Sequence, residues 1–129
     1  MIPKFRAWDE EFQMMYEVKS IIYTLGSMLC VNREALFPER TLYFEDTPIM
    51  QFTGRLDKND KEIFDGDIVK VLNSLYTVFY DSEKGSFRLK PHDKRWHTDY
   101  MSNFSHGGNF EVIGNIYQNP ELLEDKNGE

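Results

Sequence analysis

The chain has 129 residues, 40% of them hydrophobic, with 10 Phe, 7 Tyr and 2 Trp, enough apolar material for one folded core and too much for wholesale disorder. Its net charge of −7, from 22 acidic and 15 basic residues, excludes a surface that binds nucleic acid indiscriminately. A single cysteine, Cys30, excludes an intramolecular disulfide and points to a reducing compartment. The opening residues Met1-Ile2-Pro3-Lys4-Phe5-Arg6 carry charges where a secretory signal needs an apolar run, and no stretch approaches membrane-spanning length, so a cytoplasmic protein is expected.

Residues 4–8 alternate with Phe5 and Ala7 on one side, and Met14, Tyr16 and Val18 alternate likewise, with the polar Asp9-Glu10-Glu11 between them. Two such runs in close succession predict an N-terminal β-hairpin. Residues 20–31 are apolar with a break at Gly26-Ser27, and Ile21, Ile22 and Val31 favour strand, which places Cys30 in a core strand. Residues 32–37 suit one helical turn, ended by Pro38. Strands follow over residues 42–44 and 49–53, then a turn at Asp57-Lys58-Asn59-Asp60, then a strand at 68–72 launched by Asp65-Gly66-Asp67.

The clearest hairpin pairs residues 76–80 with 87–89 across a polar segment. In it Phe87 and Leu89 face one way, and Arg88 and Lys90 face the other, toward solvent. Residues 91–109 read as a long loop with His92, His97 and His106, and loops of that length are often functional. A last strand spans 110–117, and Asn119, Pro120 and Glu121 form a helix-start signal for a short C-terminal helix. With no internal repeat and no linker, the chain reads as a single domain over residues 1–129. The fold class is mainly β. A small SH3-like barrel with the N-terminal β-hairpin and the short C-terminal helix is the economical arrangement, because closure removes exposed edges, and an open twisted sheet is the competing one.

Three stretches also carry a family resemblance. Lys4-Phe5-Arg6-Ala7-Trp8-Asp9, then Met50-Gln51-Phe52-Thr53-Gly54 leading into Gly66-Asp67-Ile68-Val69, then Glu111-Val112-Ile113-Gly114-Asn115-Ile116-Tyr117 followed by Asn119-Pro120-Glu121-Leu122, together resemble the YopX family over nearly the whole chain. The resemblance implies a small protein of bacteriophages and prophages with an SH3-like barrel. It brings no catalytic residues and no established biochemical role. One departure is Asn59-Asp60, where such proteins usually carry Asn-Gly; Asp takes a positive φ less readily than Gly, which leaves the turn type open.

No catalytic or metal constellation is complete, and the chain is expected to be no enzyme and to need no cofactor or metal. An EF-hand loop starting at Asp57 would require Gly and Glu where Glu62 and Ile68 stand. His92, His97 and His106 lack ligand spacing, even with Cys30 or Asp99 added. Ser105-His106-Gly107-Gly108 follows neither a nucleophile-elbow nor a phosphate-loop pattern.

The one charge anomaly is the segment 84–97, where Lys84, Arg88, Lys90, Lys94 and Arg95 stand against Asp93 alone, a local +4 that leaves −11 for the rest. With Trp96 beside them, these cations form a candidate binding site. Three readings are open: a solvated strand face, a nucleic-acid-binding module using phosphate attraction and base stacking, or a surface that meets the acidic face of a second copy. The leading functional expectation is a phage or prophage accessory protein that binds a protein partner or itself as a homo-oligomer. Nucleic acid is the alternative, and neither a membrane nor a small-molecule substrate is evident.

Overall fold

The computed structural model describes residues 2–101 and 110–123, which form antiparallel strands joined by turns and short 3-10 segments. The chain divides into two compact units, Met1–Phe52 and Thr53–Glu129. No helix among the described residues is long and apolar enough to cross a membrane.

The first unit holds β1 (Phe5–Asp9), β2 (Met14–Ile22), β3 (Ser27–Val31), β4 (Glu39–Tyr43) and the start of β5 (Ile49–Leu56), in the order β4-β3-β2-β1-β5. The expected N-terminal hairpin is present, with Ala7 opposite Tyr16 and Trp8 opposite Met15. Alternation does its work here: Ala7, Tyr16, Met28, Cys30 and Leu42 form a buried cluster, with Met14 and Val18 packed on it. Between β2 and β3 the chain makes a 3-10 turn, Tyr23–Leu25, ended by Gly26 at φ 63°, a left-handed conformation that glycine adopts without strain. Residues 32–37 form no helical turn. Asn32 captures the chain instead, its Oδ1 accepting from Glu34 N at 2.9 Å and its carbonyl from Ala35 N at 3.1 Å, the local competition by which Asn favours turns over helices.

The second unit begins within β5, whose later half lies beside β6 (Glu62–Phe64). It continues through β7 (Asp67–Val71), β8 (Ser74–Asp81), β9 (Ser86–Pro91), β10 (Asp99–Tyr100) and β11 (Glu111–Asn115), which form a sheet in the order β10-β9-β8-β7-β11. Its core is Ile63, Val69, Val71, Val78, Leu89, Met101 and Phe110. Val78 stands opposite Leu89, so the strongest predicted hairpin has its predicted core face. The run expected to continue to Leu72 stops at Val71. Leu72 and Asn73, at φ 48° and 70°, make a two-residue turn whose backbone twist suits a hairpin.

Two features of the expected architecture are corrected. The described strands form open antiparallel sheets and no closed SH3-like barrel, because the end strands β10 and β11 have no partner beyond β9 and β7. At two residues, β10 offers too few backbone groups to extend the ladder. The short C-terminal helix is, among the described residues, one 3-10 turn, Pro120–Leu123. The side-chain oxygen of Asn119, the residue before it, accepts from Asn115 N at 3.1 Å.

Candidate functional site

The basic segment is dispersed by its own folding. Arg88 sits on β9 between Phe79 of β8 and Tyr100 of β10, and only 17% of its side chain is exposed, against the expected open position. Its Nη1 donates to Asp81 Oδ2 at 3.0 Å, its Nη2 to the Thr98 carbonyl at 3.2 Å, and its guanidinium lies 4.7 Å from the centroid of the Tyr100 ring. That hydrogen bond to Arg88 comes first among the causes holding the Asp81 carboxyl below its usual range. Arg95 closes on Asp93, Nη2 to Oδ2 at 2.6 Å, and this contact leads the causes that hold Asp93 down at about 2.

Two of the five cations therefore have carboxylate partners. Lys84 in the β8–β9 turn, Lys90 on β9 and Lys94 in the following loop are exposed, as is Trp96 at 56%. Among the described residues no ion pair engages these three lysines. The histidines do not gather. His92 Nε2 lies 2.7 Å from Thr77 Oγ1, His97 is exposed, and His106, with Ser105, Gly107 and Gly108, lies outside the described residues. No group of three His, Cys, Asp or Glu that could hold a metal occurs among the described residues.

Cys30 is fully buried on β3, and burial, aided by the negative charge of Asp9, pushes its thiol up to about 11. The thiolate is the reactive form, so a thiol reagent is expected to label Cys30 slowly in the native protein and rapidly after denaturation. Equal rates in the two states would take β3 out of the core.

A second surface, not foreseen from the sequence, surrounds β4. Tyr43 is 52% exposed at its end, and Phe44 N donates to the Gly26 carbonyl at 2.9 Å, which brings the Tyr23–Leu25 turn to that end. The Tyr23 and Phe44 ring centroids are 6.1 Å apart. Tyr23 and Leu25 stand 78% and 68% exposed there, and Leu36 and Phe37, just before β4, stand 83% and 50% exposed. A signal was available in the adjacent apolar pair Leu36-Phe37 inside a polar turn, and in Leu42-Tyr43, which gives the strand an apolar residue on each face. Beneath this surface Arg40 binds the buried carboxylate of Asp9 and donates to Glu11 Oε2 at 2.9 Å, with its guanidinium 4.4 Å from the Phe12 ring centroid.

A family model described as YopX protein matches residues 4–124 of this chain. The chain belongs to the YopX family. It is also similar to a crystal structure of protein EF1440 from Enterococcus faecalis, with 32% sequence identity, a TM-score of 0.62, and coverage of 96% of this chain and 99% of that one. No match is found among curated proteins.

Two of the stretches that carry the YopX resemblance, around Gly66-Asp67 and Gly114-Asn115, have structural tasks in the second unit. Asn115 Oδ1 accepts from Tyr117 N at 3.0 Å and Gln118 N at 2.9 Å, while Asn119 Oδ1 accepts from Asn115 N. Gly114 leaves room for this lock: a Cβ there would lie 2.4 Å from Asn119 Oδ1. Ile116 N donates to the Gly66 carbonyl, and Asp67 Oδ2 accepts from Phe64 N at 2.8 Å, so the Gly66-Asp67 and Gly114-Asn115 stretches close on each other. At Asn59-Asp60, Asp60 takes φ 63°, and the turn is held by Asp57, whose Oδ1 accepts from Asn59 N and Lys61 N at 2.8 and 2.9 Å.

Proposed function

We propose that this YopX-family protein is an accessory protein of a phage or prophage, working in the host cytoplasm as a binding module and not as an enzyme, with a protein partner or a second copy of itself. The observation that carries this reading is the set of exposed large apolar side chains at both ends of β4, namely Tyr23, Leu25, Tyr43, Leu36 and Phe37. Large apolar groups concentrated on one part of a surface mark interaction sites more often than chance exposure does. The test is cross-linking in host cells carrying the phage, comparing the natural chain with a Leu36→Asp, Tyr43→Asp double variant. The cross-linked protein, whether a second copy or another chain, is expected with the natural chain and lost with the variant. Equal yields from both would overturn the reading.

A nucleic-acid reading retains one supporting observation, three exposed lysines, Lys84, Lys90 and Lys94, in the same segment as an exposed Trp96. Arg88 and Arg95 drop out of it, since carboxylates already hold them. If it holds, oligonucleotide affinity falls with salt at a log–log slope of about −2 to −3, roughly one counterion for each lysine. A triple Lys→Glu variant should then lose binding while folding normally. A natural chain that binds neither single nor double strands at low salt removes this reading and leaves the first intact.

A further inference from the structure

We infer that β4 is a self-association edge, at which two copies pair antiparallel about a two-fold axis at Thr41. The inference rests on the reading of the β4 surroundings as an interaction surface and names the occupant.

An unpaired strand edge invites pairing with another chain, and natural sheets blunt their edges with short strands, bulges, prolines or lysines. Among the described strands, three edges carry such a device. β6 has three residues, β10 has two, and β11 shifts register between Val112 and Gly114. β4 carries none. It has five residues, runs in unbroken register along β3 from Ser27 opposite Tyr43 to Val31 opposite Glu39, and contains neither Lys nor Pro. Its one cation, Arg40, is turned to Asp9 and Glu11. No described strand lies on its outer side.

The edge is complementary to itself. A two-fold axis at Thr41 sets Thr41 against Thr41 of the second copy, Glu39 against Tyr43 and Arg40 against Leu42, so no like charges meet. An axis one residue earlier would set Arg40 against Arg40. The antiparallel sense also brings the start of β4, with Leu36 and Phe37, to the end of β4 in the second copy, with Tyr43, Tyr23 and Leu25. At roughly 150–250 Å² for a large side chain, these five offer on the order of 600 Å² of apolar surface per copy. Together with the strand edge, that approaches the roughly 800 Å² per partner of a standard stable interface. A peptide or another protein could use the edge, but nothing about the surface requires one, whereas the arrangement of its two ends matches the surface to itself.

The test is the mass in solution of the full chain and of substitutions at the exposed Thr41. The natural chain and Thr41→Ser are expected at twice 15.3 kDa, and Thr41→Lys at the single-chain mass, with a retained β-sheet circular-dichroism spectrum and a cooperative melting transition showing that it is folded. Mixing Thr41→Lys with Thr41→Glu should restore the double mass, because only an axis at residue 41 sets the two opposite charges against each other. A natural chain that stays monomeric at tens of micromolar would overturn the inference. So would a Thr41→Lys protein that remains dimeric, or a mixture that does not reassociate. A monomeric natural chain that still cross-links another protein through Leu36 and Tyr43 would sink self-pairing alone, whereas no effect of Leu36→Asp, Tyr43→Asp on either measurement would sink the interaction surface itself.

Discussion

Arg40→Ala is expected to lower the unfolding free energy by about 3–5 kcal/mol, the range for breaking a buried ion pair from one side. Asp9 is 3% exposed, and its carboxylate has two partners: Arg40, and Glu11 N at 3.1 Å on Oδ1. The hydrogen bond to Glu11, opposed by burial and assisted by Asp9, holds the Arg40 guanidinium above its ordinary value, so it stays charged at every pH of interest. Truncation would leave Asp9 buried with a single neutral donor, and would remove the cation from the Phe12 ring. Most of the cost is the stranded carboxylate. A second variant, Arg40→Met with Asp9→Leu, should therefore recover most of the stability, since a buried pair replaced by apolar groups is often neutral. Denaturant midpoints with an unchanged slope would measure both. A loss below about 1 kcal/mol for Arg40→Ala would mean that water reaches Asp9 and that the pair is a surface one.

Asp57→Ala is expected to cost roughly 2–4 kcal/mol through three backbone N–H groups that lose their acceptor. Its Oδ1 serves Asn59 and Lys61 within the turn, and its Oδ2 accepts from Val112 N at 2.9 Å, fastening the turn to β11. Asn59 and Lys61 are exposed and can turn to water, so the larger share belongs to Val112. Burial alone would raise the Asp57 pKa, but the donors, Val112 first, outweigh it and leave the carboxyl lowered. A carboxyl lowered in the folded state contributes stability that is complete above its unfolded value, about 3.9. That contribution disappears as pH falls through the folded value. Stability of the natural chain should thus decline below about pH 4, and Asp57→Asn should decline less steeply over the same interval. Equal slopes for the two proteins would show that Asp57 is not among the groups responsible; Asp81 and Asp93, also lowered, would then be the ones to vary.

What the sequence determined by itself is the local pattern. Alternation of apolar residues was sufficient to find the N-terminal hairpin and the pairing of β8 with β9, because a strand's two faces are set by its own residues with a period of two. The burial of Cys30 followed from its place in an apolar run with β-branched neighbours. Turn chemistry was legible for the same reason at Asp57-Lys58-Asn59-Asp60 and at Asp65-Gly66-Asp67. The mainly β class and the YopX resemblance followed from such local signals.

Tertiary structure alone decided which charges meet and which edges stay open. Arg88 alternates with Phe87 and Leu89 as an exposed residue should, yet Asp81 across the hairpin and Tyr100 from β10 enclose it. Arg40 on β4 and Asp9 on β1 are 31 residues apart in sequence, and their side chains meet although β3 and β2 lie between their strands in the sheet. The composition of segment 84–97 promised a +4 patch, but pairing leaves three lysines in its place. Whether the strands close into a barrel or end at an edge depends on which strands become neighbours, and alternation carries no information about neighbours. The exposure of β4 was hidden for that reason. From the sequence only residues 42–44 read as a strand there, and only the order β4-β3-β2-β1-β5 puts β4, Glu39–Tyr43, at the end of a sheet.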